Sequence, residues 1–251
     1  MSSELDALQS AIDRLAEAGA DVAELQASAD VIRSGYVRKQ PDHFKRVGYL
    51  RSLATAPKTI IDIGVSAGTP ALYRAFADHD FLLVDPQRNA ESHLLSRPKN
   101  YRFVEKGLGS KAGKLTLTES ASQSSFLDRV GDFAGEYTAT DRYEVDVITF
   151  REMIETYKPA APYGVKIDTE GFELEVVRGM AGTFEDIDFL ICETSVRRMY
   201  SDSYQFSELV AFLADHGLLF FNILNEVRAW PRFYDTVFLR ADNPRFGAIK
   251  G

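Results

Sequence analysis

Ile60-Ile61-Asp62-Ile63-Gly64-Val65-Ser66-Ala67-Gly68 runs directly into Thr69-Pro70-Ala71-Leu72-Tyr73. A short apolar run carries one acid and turns through two glycines. It then meets a threonine able to cap a helix and a proline suited to the first helical position. This is strand, glycine turn and helix, the opening βα unit of a doubly wound α/β fold. In such folds a ligand sits at the carboxyl ends of the strands, where glycine lets the backbone approach it. Phe81-Leu82-Leu83-Val84 is the next apolar strand and ends at Asp85-Pro86. An acid about 20 residues past the glycine turn is where nucleotide-type folds grip ribose hydroxyls. A solvated turn acid is the plainer use of an Asp-Pro pair.

Further along, Tyr101-Arg102-Phe103-Val104 reads as a third strand, followed by Gly107-Leu108-Gly109-Ser110. Lys114 to Thr118 and Tyr143 to Val147 alternate apolar and polar residues, the pattern of half-exposed antiparallel strands added between the third and fourth parallel ones. The Ser-, Gly- and Asp-rich stretch between them reads as a mobile loop near the site. Thr149 and Glu152 form a capping box for a helix that stops before Pro159.

Val165-Lys166-Ile167-Asp168-Thr169-Glu170-Gly171-Phe172-Glu173 is the most informative run. Central parallel strands are covered on both faces and are normally apolar throughout. Lys166 and Asp168, two apart, point to one face of such a strand. An ion there is costly unless it is paired or faces a ligand cleft. Glu193 on the next strand and Asp168 are the candidate partners of Lys166. A purely structural ion pair is the rival explanation. The fifth strand, Ile187 to Cys192, ends at Glu193 on the same rim as Asp62, Asp85 and Asp168. Arg197-Arg198-Met199-Tyr200 follows as a basic and aromatic loop. Leu218 to Leu224 and Thr236 to Leu239 are the last two strands, with Trp230, Pro231, Phe233 and Tyr234 between them.

In front of the sheet, Leu5, Leu8, Ile12 and Leu15 mark an amphipathic helix ended by Gly19. Asp21 with Glu24 resembles a capping pair for a second helix carrying Val22, Leu25, Ala29 and Ile32. A third helix starts after Pro41-Asp42 and buries Phe44, Val47, Leu50 and Leu53. Residues 1–56 are therefore expected to form a helical cap and residues 57–251 the main domain. The apolar stripes of the cap suit packing on that domain; a dimer contact and a lid over the cleft are the other uses for such stripes.

Composition narrows the function. The 251 residues have a net charge of −8, which argues against binding to nucleic acid mainly through phosphates. The first residues show neither the basic start nor the apolar core of a signal peptide, and no stretch approaches a membrane span. A soluble cytoplasmic protein without nucleic-acid or membrane partners is expected. The one cysteine, Cys192, lies in an apolar run and reads as a buried small hydrophobe.

Of the four histidines, His43, His79, His93 and His216, two directly precede strands, and no His/Cys cluster has zinc spacing. No metal is expected, although Asp168, Glu170 and Glu193 are oxygen ligands of the kind a hard cation takes. There is no Gly-x-Ser-x-Gly elbow, no Walker sequence and no third glycine in the turn. A cofactor without phosphate and with a positive centre fits a rim of carboxylates. S-adenosylmethionine, with its adenosine, ammonium and sulfonium, is such a cofactor.

At this point the chain resembles the FkbM-type family of S-adenosylmethionine-dependent methyltransferases, from about Ile60 to Leu224. The matching pieces are Asp62 to Gly68, Val84-Asp85-Pro86, Gly107 to Gly113, and above all Lys166-Ile167-Asp168-Thr169-Glu170-Gly171-Phe172-Glu173. Ser66 stands where the family usually has Asn, and Asp85 where Glu is usual; both keep an oxygen acceptor. The resemblance implies a mostly parallel, seven-stranded Rossmann-like sheet whose last strand is antiparallel. It also implies O-methylation of a hydroxyl on a sugar, polyketide or other small metabolite.

By position, Asp62, Gly64, Ser66 and Gly68 would line the methionine part of the cofactor. Asp85 would hold its ribose, and Gly107 and Leu108 would lie by the adenine. Asp168, Glu170 and Lys166 would face the reacting centre, with Asp168 as base. Glu193, Arg197, Arg198, Tyr200 and Trp230 are candidate acceptor contacts. A non-catalytic descendant and a nicotinamide-dependent oxidoreductase are the rival functions.

Overall fold

The computed structural model describes residues 2–23, 25–26, 46–120, 123–135 and 138–247; the side chains of residues 2–8 are not among what it describes. The chain divides into two compact units, residues 1–41 and 42–251. In the first, helix α1 spans Ser2–Glu17, with Ile12 buried and Leu15 exposed, and Gly19 follows at φ 80°. Of the expected second helix, residues 23, 25 and 26 are helical and Asp21 Oδ1 accepts from the Ala23 N–H at 3.1 Å; Glu24, Ala29 and Ile32, and the start of the third helix at Pro41, Asp42 and Phe44, fall outside the described residues. What is described of that third helix is α2, Val47–Leu53. Its Leu50 and Leu53 are buried in one core with Leu72, Phe76 and Phe81, so it belongs to the main unit.

The main unit is built on strands β1 (Thr59–Ile63), β2 (Asp80–Val84), β3 (Asn100–Val104), β7 (Tyr163–Ile167), β8 (Ile187–Ser195), β9 (Leu218–Ile223) and β10 (Phe233–Arg240). They form a seven-stranded sheet in the order β3-β2-β1-β7-β8-β10-β9. The strands from β3 to β8 are parallel, and β10 runs antiparallel to both its neighbours. The mostly parallel sheet with an antiparallel last strand is therefore present.

The chain leaves β1 toward β2 and β3, then crosses to β7 on the other side of β1. That change of direction opens a crevice at the carboxyl ends of β1 and β7. Register across it pairs Asp62 with Lys166 and Ile63 with Ile167.

Helices cover both faces. α3 (Pro70–Ala75) and α2 lie on the face to which Ile60, Phe81, Phe189 and Ile191 point. α5 (Phe150–Tyr157), α6 (Glu173–Arg178) and α7 (Phe206–Asp215) lie on the opposite face, where Ile61, Ile63, Val165 and Ile167 meet Phe150, Met153, Leu174 and Leu209. The short α4 (Ala90–His93) follows β2. Alternate residues of one strand thus enter two cores, which is why β1 and β7 are buried along their whole length. Cys192 sits fully buried in the second core. The box of Thr149 with Glu152 caps α5, with both reciprocal bonds formed.

Two expectations need correction. The alternating strands β5 (Gly113–Glu119) and β6 (Asp141–Ile148) are antiparallel, but they do not join the main sheet: with β4 (Gly107–Leu108) they make a separate three-stranded sheet. Phe233 and Tyr234 are not in the connection before the last strand. They belong to β10, because β8 also runs on to Ser195 and the register continues to Phe233 opposite Ser195. Among the described residues, no helix is long and apolar enough to cross a membrane.

Candidate functional site

β1 ends at Ile63, and Gly64 turns at φ 77°. A side chain at Gly64 would overlap the backbone carbonyl of Asp168, which sits against the turn. Glycine is required here because two strand tips converge, in addition to the positive φ. Ser66 also has positive φ, and its N–H donates to Asp85 Oδ2 at 2.9 Å. Gln87 N–H donates to Asp85 Oδ1 at 3.0 Å. Both oxygens of Asp85 are thus oriented by backbone, and the acid is buried rather than solvated. Burial pushes its carboxyl above the ordinary range, against the pull of those two N–H groups.

Thr69 takes the cap position of α3 but makes no capping bond. Its side chain faces Asp62 instead and helps pull that carboxyl down. Tyr73, from the same helix, donates to Asp62 Oδ2 at 2.9 Å. Asp62 is fully buried, and Lys166 Nζ lies 3.6 Å from its other oxygen. The same ammonium bonds Asp168 Oδ2 at 3.0 Å. The partners of Lys166 are therefore Asp168 and Asp62 rather than Glu193: the neighbouring strand that supplies an acid is β1, where Asp62 lies in register with Lys166, and not β8. Burial pulls the Lys166 ammonium down, but Asp168 and Asp62 more than offset this and keep it charged. Burial raises the Asp62 carboxyl, opposed by Lys166, Thr69 and Tyr73.

The turn after β7 is organised by Glu173, a fully buried acid at the start of α6. Its Oε1 accepts from the N–H groups of Thr169 and Gly171 at 2.9 and 3.0 Å. Tyr204 donates to Oε2 at 2.9 Å. Sequence reasoning quoted Glu173 only as part of a motif; an acid at a helix start, six residues past the end of β7, was the available signal.

Glu170 sits in that turn at φ 53°, a strained value for a residue other than glycine. Its backbone carbonyl accepts from Ser125 Oγ at 2.7 Å. Its carboxylate accepts from the Tyr200 hydroxyl at 2.6 Å and lies 3.7 Å from Arg129. Arg129 also donates to Tyr200 Oη at 2.7 Å and to Gln123 at 2.6 Å, so one guanidinium ties together two loops and the strand-tip turn. Burial, with Asp168 and Glu173 nearby, pushes Glu170 up to about 7 against Tyr200 and Arg129. Burial and the charges of Asp168, Glu170 and Glu173 push Glu193 well above its ordinary value.

These tips enclose connected space. One cavity is lined by Ile63, Gly64, Ser66, Val84, Asp85, Gly107, Leu108, Phe126, Asp168, Glu170 and Glu193 among others. A second begins at the same turn and is lined by Gly64, Ser66, Gly68, Arg74, Lys166, Asp168, Glu193 and Asp235 among others. Gly64, Ser66, Asp168 and Glu193 line both. A carboxylate oxygen of each of Asp168, Glu170 and Glu193 lies within 4.8 Å of the others, a spacing a hard cation could bridge.

Not every candidate reaches these walls. Asp62 lines neither cavity and lies behind Lys166 and Tyr73. Tyr200 is buried on Glu170 and lines a separate polar cavity with Arg129. Arg197, Arg198 and Trp230 line neither cavity at the strand tips. Of the described histidines, none reaches them either.

The walls of the first cavity suit a nucleoside rather than a nucleotide. Ile63, Val84, Leu108 and Phe126 are apolar, Asp85 is a paired acceptor, and Lys106 is the one cationic side chain among its lining residues. A pyrophosphate would meet carboxylates; a sulfonium would meet the groups that attract it.

The model of the methyltransferase FkbM domain matches residues 62–220. No curated protein matches the chain in sequence. Among solved structures, a TehB-like SAM-dependent methyltransferase from Corynebacterium glutamicum is similar at 13% identity and TM-score 0.43, covering 86% of this chain and 97% of its own. Magnesium protoporphyrin IX methyltransferase from Synechocystis, solved with bound SAM, is similar at 13% identity and TM-score 0.44, covering 84% and 83%.

Proposed function

The chain belongs to the methyltransferase FkbM domain family, and from that membership we propose that it carries the methyl group of S-adenosylmethionine to a hydroxyl of a small molecule, sugar or secondary metabolite. The observation that carries this reading is the meeting of Asp85, Asp168, Glu170 and Glu193 in the wall of one cavity at the strand tips. When bound, the cofactor supplies a methyl group made electrophilic by its positive sulfur.

The chain's own residues do the rest. Asp85, already oriented by Ser66 and Gln87, accepts from the ribose hydroxyls, and Gly107 and Leu108 face the adenine. Gly64 and Gly68 give the methionine part a backbone surface without side chains in the way, and Ser66 adds a hydroxyl beside it. Asp62 acts from behind, by holding Lys166. Lys166 in turn holds Asp168 at 3.0 Å, so that its carboxylate faces both cavities.

An acceptor in the second cavity then places its hydroxyl at Asp168, which orients it and takes its proton as the bond to carbon forms. Glu170 and Glu193 would complete the wall beside the cofactor, whose positive charge would favour their ionised forms. The protein acts in the cytoplasm on a soluble acceptor, alone or as a homodimer, without nucleic acid, membrane or metal.

Calorimetric titration with S-adenosylhomocysteine and then with NAD tests the assignment: binding of the first and not the second is expected. Binding of NAD alone would sink it. Asp168→Asn should leave S-adenosylhomocysteine affinity within about twofold and lower methyl transfer by about 10²-fold or more, the usual contribution of a positioned general base. Transfer at the wild-type rate would remove Asp168 from that role.

A further inference from the structure

The two cavities at the strand tips meet at Gly64, Ser66, Asp168 and Glu193. Among the described residues, three cationic side chains line them: Lys106 in the first, and Lys166 and Arg74 in the second. Lys106 lies 3.5 Å from Asp146, and Lys166 is held by Asp62 and Asp168. Arg74 differs. It is exposed, and among the described residues it makes no hydrogen bond or ion pair.

Helix α3 sets its place. Pro70 and Ala71 line the second cavity too, and Arg74 follows them by four and three residues, so all three share the helix face turned to that cavity. The second cavity is thus walled by the acids at the tips of β7 and β8, by the glycine turn and by one unengaged guanidinium.

The methionine part of S-adenosylmethionine carries both an ammonium and a carboxylate, and these walls treat the two differently. Asp168 and Glu193 suit the ammonium and repel the carboxylate. The glycine turn is a poor anion cradle, because its N–H groups are spent inside the protein. Gly64 donates to the Val84 carbonyl at 2.8 Å, Ser66 to Asp85 Oδ2 at 2.9 Å and Gly68 to the Val65 carbonyl at 2.7 Å. Arg74 is the cation left to meet the negative end.

We propose that Arg74 receives the carboxylate of the cofactor's methionine part and fixes the end of the cofactor opposite the adenosine. The adenosine fills the first cavity, the tail passes the junction at Gly64 and Ser66, and the carboxylate reaches Arg74 in the second. A guanidinium fork donates to both carboxylate oxygens at once. The second cavity, about 1100 Å³ against about 740 Å³ for the first, has room for this tail beside an acceptor. The inference rests on the methyltransferase reading, whose cofactor it concerns.

Calorimetric titration of the full chain with two ligands isolates the contact. 5′-Methylthioadenosine shares the adenosine and the sulfur of S-adenosylhomocysteine but lacks its amino-acid end. Arg74→Gln keeps most of the side chain's length and loses its charge. It should weaken S-adenosylhomocysteine about tenfold or more, the worth of a hydrogen bond between charged groups, while 5′-methylthioadenosine stays within about twofold. Arg74→Lys should recover part of the loss, since it restores the charge without the fork. The melting temperature of the free variants should stay within about 2 °C of the unaltered chain, as for other exposed substitutions.

Unchanged S-adenosylhomocysteine affinity in Arg74→Gln would overturn the proposal and leave Arg74 to an anionic group of the acceptor. Equal weakening of both ligands would overturn it as well, by showing a general disturbance of the cavities. If the unaltered chain binds neither ligand, the methyltransferase reading falls and this proposal with it. If it binds both and Arg74→Gln changes neither, only the role of Arg74 falls.

Discussion

At the scale of single residues, Lys166 and Glu170 carry the most consequence. Lys166 is nearly inaccessible and stands between Asp62 and Asp168. Replacing it with Met removes the cation and leaves Asp62 buried with an unpaired oxygen. Loss of one partner from a buried ion pair costs about 3–5 kcal/mol. Urea unfolding of Lys166→Met should show a fall of that size; a change below about 1 kcal/mol would mean the pair is not what holds β7 to β1. Glu170 makes the opposite case. Its folded value near 7 lies above the 4.5 of an unperturbed glutamate, so the folded chain holds this proton more tightly than the unfolded one. Stability from this group is complete below about 4.5 and is lost as pH rises through about 7. Glu170→Gln does not titrate, so its unfolding free energy should fall less than that of the wild type between pH 5 and pH 8. Parallel curves would show that Glu170 is not held protonated by its surroundings. Lys166 and Asp168 were recognisable in sequence because ions are out of place in a buried strand. Arg129 was not, since nothing in a polar loop distinguishes the arginine that folds onto a glutamate from one that stays in water.

At the scale of elements, the glycine turn and the turn after β7 are one construction. The Asp168 carbonyl fills the space that a side chain at Gly64 would need. Gly64→Ala should therefore cost about 2 kcal/mol or more, by overlap and by the positive φ together, and should weaken S-adenosylhomocysteine binding as the β7 tip moves. Gly48→Ala is the control: it lies in helix α2 with open space around it, and alanine there should be neutral or slightly stabilising. Thermal melts of the two variants distinguish a local clash from a general intolerance of alanine. The strand–turn–helix reading of residues 60–73 survives intact, but its cap does not. Thr69 makes no capping bond: its side chain faces the buried Asp62, and the short helix starts at a proline, which has no N–H to cap. In the small sheet, β5 and β6 were recognised as strands and misplaced, and β4 was not read as a strand; alternation reveals that a strand has two different faces but not which sheet it joins.

At the scale of the whole molecule, the seven-stranded sheet gathers acids from β1, β2, β7 and β8 at one end. A ligand that bridges these strand tips binds the folded chain and not the unfolded one. S-adenosylhomocysteine at about 100 times its dissociation constant should add about 2.7 kcal/mol, raising the melting temperature by about 5–10 °C for a chain of this size. No shift at a concentration that saturates the calorimetric signal would mean that the ligand does not prefer the folded chain to the unfolded one.

The sequence by itself determined the alternation of apolar strands and amphipathic helices, the two-glycine turn, the acids at strand ends and hence the family. These are local: each follows from spacing within a few residues, and each strand is short enough for its period to be read directly. Only the tertiary structure decided the rest. It made Asp62 a support for Lys166 rather than a wall of the cavity, drew Tyr200 and Arg129 onto Glu170, and left Trp230 in solvent. Those outcomes depend on which distant segments meet. Long-range pairing is settled by packing and by the cost of an unpaired buried charge, and neither is expressed in the order of residues along one stretch of chain.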